Sequence, residues 1–412
     1  MWKKLKSKIS SYIYFTSCIK QNKKNLKQIN KNLIKDKIKV VFICQLPSLW
    51  NSVKSVYESI LNNDKIEALI VAIPEKKRKK ETDYSEEYEE NKSFLFLSEK
   101  GYKVINGYEN NKFLDLRDLT PDYVFIPRPY DSLLPDLYSS ANLSTFTRVC
   151  YVTYGFSLTK DCMPTIFNFD FLKNVYLFFP DSKASESYVK KIYKKHFCNW
   201  NKIGPIGYPR FDLLQQVKLE NTVAKVFLWT PRWTSNENVC GTTFFDYIDK
   251  LIDFFKKHPD LTLVFRPHPL LFKNFLMTGE ISQDKYELIL ESFDKNQNLC
   301  FDNPENDYIE TFNKVDVMIT DPTSLLPEFY YTGKPIIYTA IPDNFNSSSK
   351  VMEKGLYMAN NWSELKEKIL SLADGKDPLL AYRIESLKLL NKTDNNGDSI
   401  CRTLIKEYFK DS

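Results

Sequence analysis

Glycine is scarce in this chain, eleven in 412 residues, which argues against an all-β architecture built on many tight turns. The eight cysteines are scattered, at positions 18, 44, 150, 162, 198, 240, 300 and 401. They form no CxxC and no Cys/His pairing. That speaks against a disulfide framework or a zinc site and fits reduced core residues of a cytosolic protein. No apolar run approaches the roughly 20 residues needed to span a bilayer. The first residues carry lysines but no uninterrupted apolar stretch of the signal-peptide kind. Also missing are an Asp-x-Asp pair at a strand end and a Walker-type loop, so neither a metal-dependent transferase nor a P-loop kinase is favoured, and no metal or cofactor is expected. Acidic residues are absent from positions 1–35, which hold ten lysines. The net charge is +6, so the remainder sums to +6 − 10 = −4. The chain reads as a basic arm on a mildly acidic body.

What is present is a globular composition, 43% hydrophobic and 15% aromatic, in a chain long enough for two domains. The arm mixes its lysines with Trp2, Ile9, Tyr12, Ile13, Tyr14, Phe15 and Ile19, a combination that suits an anionic membrane surface. The plain alternative is a solvated first helix packed on the body. A nucleic-acid arm is the lesser reading, and nucleic acid is not among the expected partners. Beyond the arm, βαβ grammar sets in. Lys37–Cys44 and Ile66–Ile73 are expected strands around a helix at Asn51–Leu61. Lys76–Glu90 reads as a charged surface loop. Strands at Pro121–Ile126 and Arg148–Thr153 leave through Pro127-Arg128-Pro-Tyr-Asp131 and Tyr154-Gly155-Phe-Ser157. The glycine- and proline-rich stretch Ile203–Asp212 marks the junction. The resulting division is an arm at 1–35, an N-terminal domain at 36–213, a C-terminal domain at 214–385 and a closing segment at 386–412.

The second half repeats the pattern with chemistry at its strand ends. The apolar run Leu261–Phe265 stops in Arg266-Pro-His268-Pro269, where two prolines end any ladder. Open α/β sheets bind ligands at the carboxyl ends of their strands. There the guanidinium of Arg266 suits a phosphate, and the imidazole of His268 can donate to an oxyanion or move a proton. A salt bridge for Arg266 is the plain alternative. Lys225–Trp229 exits into Thr230-Pro-Arg232-Trp-Thr234. Val315–Ile319 exits into Thr320-Asp321-Pro-Thr323-Ser324 before an expected helix at Leu325–Tyr331. Thr323 and Ser324 can bind an anion there, or simply cap the helix alongside Asp321. Glu328, one turn on, is placed to take two ribose hydroxyls. Of the three histidines, His196 and His258 lie in charged helical contexts and read as surface residues.

These segments carry a resemblance. Thr230-Pro-Arg-Trp, Phe265-Arg-Pro-His-Pro269, Ile319-Thr-Asp-Pro-Thr-Ser324, Glu328-Phe and Gly333-Lys-Pro-Ile-Ile337 resemble, in order and spacing, the CDP-glycerol glycerophosphotransferase family, which includes teichoic acid polymerases. Gly207-Tyr-Pro-Arg-Phe-Asp212 and Asp394-Asn-Asn-Gly-Asp-Ser399 also fit. The resemblance implies a GT-B architecture: two Rossmann-like α/β domains facing across a cleft, with a C-terminal helix crossing back. It implies transfer of a polyol phosphate of the glycerol- or ribitol-phosphate type from a CDP-activated donor to a hydroxyl of a capsule or teichoic-acid-like polymer, releasing CMP. It puts His268 and Arg266 in the catalytic role and Thr230, Arg232, Asp321, Thr323, Ser324 and Glu328 around the donor. Arg128, Tyr154 and Gly155 fall on the acceptor side. The expected setting is cytoplasmic, on the inner face of the plasma membrane. In one respect the chain departs from the family. Members usually carry His-Gly-Thr after an N-domain strand, the histidine being a proposed base. Here the segment is Thr153-Tyr154-Gly155-Phe156, and a neutral tyrosine is a poor base at pH 7. A GT-B sugar transferase, a nucleotide-sugar 2-epimerase and a non-catalytic polymer-binding module are the alternatives.

Overall fold

The computed structural model describes residues 14, 17–18, 20–30, 37–80, 83–196, 198–214, 216, 223–237, 241–304, 307–339, 345–390 and 395–411. Most of the basic arm lies outside them, as do Cys240 and Asp394. The chain divides into two compact units. One comprises 1–154, 162–212 and 393–412, the other 155–161 and 213–392.

The first unit is built on a seven-stranded parallel sheet. Its strands are β1 (Ile38–Cys44), β2 (Ile66–Ala72), β3 (Val104–Asn106), β4 (Tyr123–Phe125), β5 (Arg148–Val152), β6 (Leu177–Phe179) and β7 (Lys202–Ile203). The order across the sheet is β7-β6-β5-β4-β1-β2-β3. Strand β1 shows why these apolar runs form strands. Val40 and Phe42 join one core while Val41 and Ile43 join another, so both faces are covered and the sequence reads as nearly continuous hydrophobics. Each side chain so buried contributes roughly 1.5–3 kcal/mol. The helix Asn396–Asp411 closes this unit, placing Ile400, Cys401, Leu404 and Tyr408 in the first core. Tyr123 Oη donates to the Leu404 carbonyl at 3.2 Å.

The charged stretch after β2 differs from the expected loop. Lys76–Lys80 and Asp83–Tyr88 form an antiparallel hairpin. Opposite charges face each other across it: Lys76 meets Glu86 at 3.2 Å and Lys77 meets Glu87 at 3.0 Å. Cross-strand pairing supplies what composition alone does not show.

The second unit holds a six-stranded parallel sheet of β8 (Val226–Thr230), β9 (Thr262–Phe265), β10 (Leu299–Phe301), β11 (Val317–Thr320), β12 (Ile336–Tyr338) and β13 (Tyr357–Met358). Their order is β10-β9-β8-β11-β12-β13. This is the doubly wound arrangement, with the direction of winding reversing between β8 and β11. The helix Phe244–Lys257 lays Phe244, Tyr247, Ile248, Leu251, Ile252, Phe254 and Phe255 against the sheet. The Gly333-Lys-Pro segment is a structural device. Lys334 Nζ donates to the carbonyls of Phe312 and Val315 at 2.6 and 2.7 Å, capping the end of the helix Tyr308–Lys314.

Candidate active site

Strands β9, β8 and β11 are neighbours. The three exits singled out by sequence therefore leave adjacent strands, on both sides of the point where the winding reverses. One carboxylate ties them together. Asp321 is 1% exposed. Its Oδ2 accepts from the Arg232 N–H at 3.1 Å, Thr242 Oγ1 at 2.9 Å and the Thr243 N–H at 3.0 Å. Its Oδ1 accepts from Thr243 Oγ1 at 2.5 Å and Thr339 Oγ1 at 2.8 Å. With five donors engaged, Asp321 organises the exits. Thr230 works the same way, donating to Thr320 Oγ1 at 2.8 Å inside the core.

Arg232 is half-buried. Its Nη1 donates to the Pro322 carbonyl at 2.7 Å, and its buried Nε has no hydrogen-bond partner among the described residues. His268 is also half-buried and packs near Trp233, with ring centroids 6.0 Å apart. Its Nδ1 lies 3.1 Å from the Leu270 N–H and accepts from it. With Nδ1 accepting, Nε2 is the ring nitrogen that carries the proton, so His268 is set up as a donor there. Thr323 is half-buried and Ser324 is exposed. Neither gives the helix Leu325–Tyr331 a strong cap. Ser324 makes no side-chain cap bond, and the Thr323 hydroxyl lies 3.4 Å from the Leu325 N–H.

Two more of the expected site residues are buried. Arg266 is 5% exposed. Its Nη1 pairs with Asp302 Oδ2 at 2.6 Å, and Nη2 donates to the Pro304 carbonyl at 3.1 Å. The salt-bridge alternative describes this residue, because Asp302 leaves the neighbouring strand β10 at the same level. Glu328 is fully buried on the inner side of its helix. His196 and His258 are half-buried, against Phe169 and Phe254 at centroid distances of 4.1 Å each.

Gly155 belongs to the second unit. A Cβ added there would stand 3.2 Å from the Ser324 Cβ, so the glycine permits close backbone approach to the β11 exit. The segment after it is held by Asn346. That side chain donates to the Ser157 carbonyl, and its N–H donates to the Leu158 carbonyl at 3.0 Å. Thr159 bridges to Phe345. Asn346, Thr339, Thr242, Thr243 and Asp302 escaped the sequence reading. Two of them, Asp302 and Thr339, directly follow strands β10 and β12, so a survey of every strand exit would have found them.

The remaining acceptor-side residues are in the first unit. Gln45, Glu75, Arg128 and Tyr154 follow β1, β2, β4 and β5, four adjacent strands. Arg128 donates through Nε to Gln45 Oε1 at 3.0 Å and through Nη2 to Glu75 Oε1 at 3.2 Å. The hydroxyls of Tyr130 and Tyr154 lie 3.1 Å apart. Burial holds both phenols above their ordinary range, so Tyr154 is a proton donor at neutral pH. Burial likewise raises the Glu75 carboxyl, against the opposing pull of Arg128.

Two doubly wound parallel sheets in one chain, each with polar groups gathered at its strand exits, define a GT-B-like protein. Solved structures agree. The putative UDP-N-acetylglucosamine 2-epimerase of Listeria monocytogenes matches with a TM-score of 0.55 at 15% identity, over 91% of this chain and 98% of that one. The UDP complex of S. aureus MnaA matches with a TM-score of 0.56 at 14% identity, over 91% and 98%. The H444N variant of the wall teichoic acid polymerase TagF, soaked with CDPG, matches with a TM-score of 0.53 at 15% identity, over 98% and 96%. These likenesses speak for the fold. No curated protein matches the sequence. Residues 174–359 match the family model for CDP-glycerol:poly(glycerophosphate) glycerophosphotransferase. Over that stretch the chain is similar to the CDP-glycerol glycerophosphotransferase family, the one its strand-exit motifs resemble.

Proposed function

We propose that the protein transfers a polyol phosphate from a CDP-activated donor to a hydroxyl of a capsule or teichoic-acid-like polymer and releases CMP. The observation that carries this is the convergence of the β8, β9 and β11 exits within the stretch matched by the glycerophosphotransferase model. In the proposed reaction the acceptor oxygen attacks the β-phosphorus in line. The Nε2–H of His268, the guanidinium of Arg232 and the hydroxyls of Thr323 and Ser324 stabilise the charge that develops on the phosphoryl and leaving oxygens. Asp321 and Arg266 hold these exits in place. Arg128 and Tyr154 serve the acceptor in the first unit. The basic residues near the start of the chain would hold the protein at an anionic membrane surface on the cytoplasmic side.

The test is CMP release by the purified full chain, with CDP-glycerol, CDP-ribitol and UDP-sugars compared side by side and a polymer acceptor present. Acceptor-dependent CMP from a CDP-polyol is the expected result. Turnover of a UDP-sugar alone would replace this reading with the sugar transferase or epimerase. Turnover of none would leave a polymer-binding module.

A further inference from the structure

Gly155, Phe156, Ser157, Leu158 and Thr159 are all buried, and all belong to the second unit. Buried backbone groups need partners, and Asn346 supplies them. Its Nδ2 donates to the Ser157 carbonyl, and its N–H donates to the Leu158 carbonyl at 3.0 Å. Beside it, Phe345 bridges antiparallel to Thr159. The amide oxygen of Asn346 turns the other way. It accepts from the N–H groups of Ser348 and Ser349 at 2.9 and 3.1 Å and from Ser349 Oγ at 3.2 Å. The side chain thus gives its donor to the segment and its acceptor to its own turn. Phe345 packs on Tyr338, with ring centroids 5.5 Å apart. Tyr338 ends β12, directly before the Thr339 that donates to Asp321. The anchor is therefore rooted in the same exits that Asp321 ties together. The other end of the segment abuts Ser324. Within 4 Å, a Cβ added at Gly155 would meet only that residue, its Cβ at 3.2 Å and its Oγ at 3.9 Å. Ser324 is exposed and its hydroxyl caps no helix. A serine hydroxyl has three staggered positions to choose from, and the Gly155 backbone stands along one side of it.

We infer that residues 155–159 form a positioning strap for Ser324, and that Asn346 is the residue that holds the strap in place. The inference rests on the transferase reading, in which the Ser324 hydroxyl stabilises charge developing on an oxygen of the diphosphate donor. Such stabilisation requires the hydroxyl to be aimed before the charge develops. A misplacement of about 1 Å can cost about 10²-fold in rate. Gly155 and Asn346 are positioning residues: both act through Ser324, one by standing against it and the other by fixing the backbone that does so.

The experiment measures kcat and donor KM for acceptor-dependent CMP release by the full chain, with CDP-glycerol and CDP-ribitol as donors, alongside the melting temperature. The variants are Gly155→Ala, Asn346→Asp and Ser324→Ala, and the first two each combined with Ser324→Ala. Gly155→Ala adds a methyl that meets only Ser324, which must give by a few tenths of an ångström. Asn346→Asp keeps an oxygen for the N–H groups of Ser348 and Ser349 and loses the N–H that holds Ser157. The two changes disturb opposite ends of the strap, so either one decides the question if the other fails to fold. Each is expected to lower kcat about tenfold with donor KM within about twofold, as when an interaction made in the transition state is lost. With Ser324→Ala already in place, each should cost less than about twofold more, because the hydroxyl they position is gone. Full additional losses in that background overturn the strap and leave the transferase reading standing. So do single variants that keep the wild-type kcat and only melt earlier. A wild type that releases CMP from no CDP-polyol overturns both.

Discussion

Arg266 illustrates how one side chain divides between binding and support. At a strand exit a guanidinium suits a phosphate, and the tetrapeptide Arg266-Pro-His-Pro269 allows that as readily as a salt bridge. The structure spends it on Asp302, 2.6 Å away and 12% exposed in its side chain. Removing one partner of such a pair strands the other, at a cost of about 3–5 kcal/mol. Arg266→Ala should therefore unfold at clearly lower denaturant, and Arg266→Ala with Asp302→Asn should regain part of the loss. A single variant as stable as wild type would show that the ion pair contributes nothing. Tyr154 makes the opposite case, a residue whose chemistry is narrowed by its neighbours. Burial pushes its phenol above the ordinary tyrosine range. It stays protonated through the range in which enzymes are assayed. Tyr154→Phe should then leave both limbs of the pH–rate profile where they are, and cost no more than one hydrogen bond, about 0.5–1.5 kcal/mol. A limb that disappears with the hydroxyl would mark Tyr154 as the titrating group.

At the scale of elements, two sequence motifs far apart in the chain turn out to be halves of one joint. Asp212 Oδ1 accepts from the Asn396 N–H at 3.0 Å and from its Nδ2 at 2.6 Å, while Oδ2 accepts from the Gly397 N–H at 2.9 Å. The acid thus caps the first turn of the helix Asn396–Asp411 from outside, complementing its dipole. A Cβ at Gly397 would overlap the Ser55 carbonyl oxygen, and one at Gly207 would overlap the Asn396 side chain. Asp212→Ala should cost about 0.5–2 kcal/mol and speed amide exchange across 396–411. Gly397→Ala should do the same through the clash. Unchanged protection in that helix for both variants would refute the joint. Such joints explain what was legible beforehand. The strands were readable because parallel strands buried on two faces are apolar throughout, and the exits because proline and polar residues end them abruptly. The helix Leu325–Tyr331 has the bounds the pattern gave it. The hairpin at 76–88 was not legible, since its pairing joins charges that composition reads as solvent-loving. The fates of Arg266 and Glu328 were not legible either. Each depends on what lies beside it in space: Asp302 on a neighbouring strand for one, and the enclosed inner side of its own helix for the other.

At the scale of the whole molecule, the two units share the winding of a doubly wound sheet, and the lysine-rich first stretch of the chain has its own physics. No helix among the described residues is long and apolar enough to cross a membrane. Residues 20–30 are helical. Leu26 packs against both cores of the first unit, Ile29 is buried, and Asn30 Oδ1 accepts from Arg148 Nη2 at 3.0 Å. Lys20, Lys23, Lys24 and Lys27 are exposed. Their spacing of i, i+3, i+4 and i+7 puts them on one face. Packing and charge are therefore both satisfied, by opposite sides of one helix. Deleting residues 1–35 would uncover the Leu26 and Ile29 contacts and confuse folding with binding. Replacing the four lysines by glutamate leaves that inner side intact. Near an anionic leaflet each lysine contributes up to about 1 kcal/mol. The intact chain should pellet with phosphatidylglycerol vesicles at low salt and release as the Debye length shrinks below about 10 Å. The four-glutamate variant should stay in the supernatant while melting at the wild-type temperature. Equal pelleting of the two proteins would remove this face as the anchor.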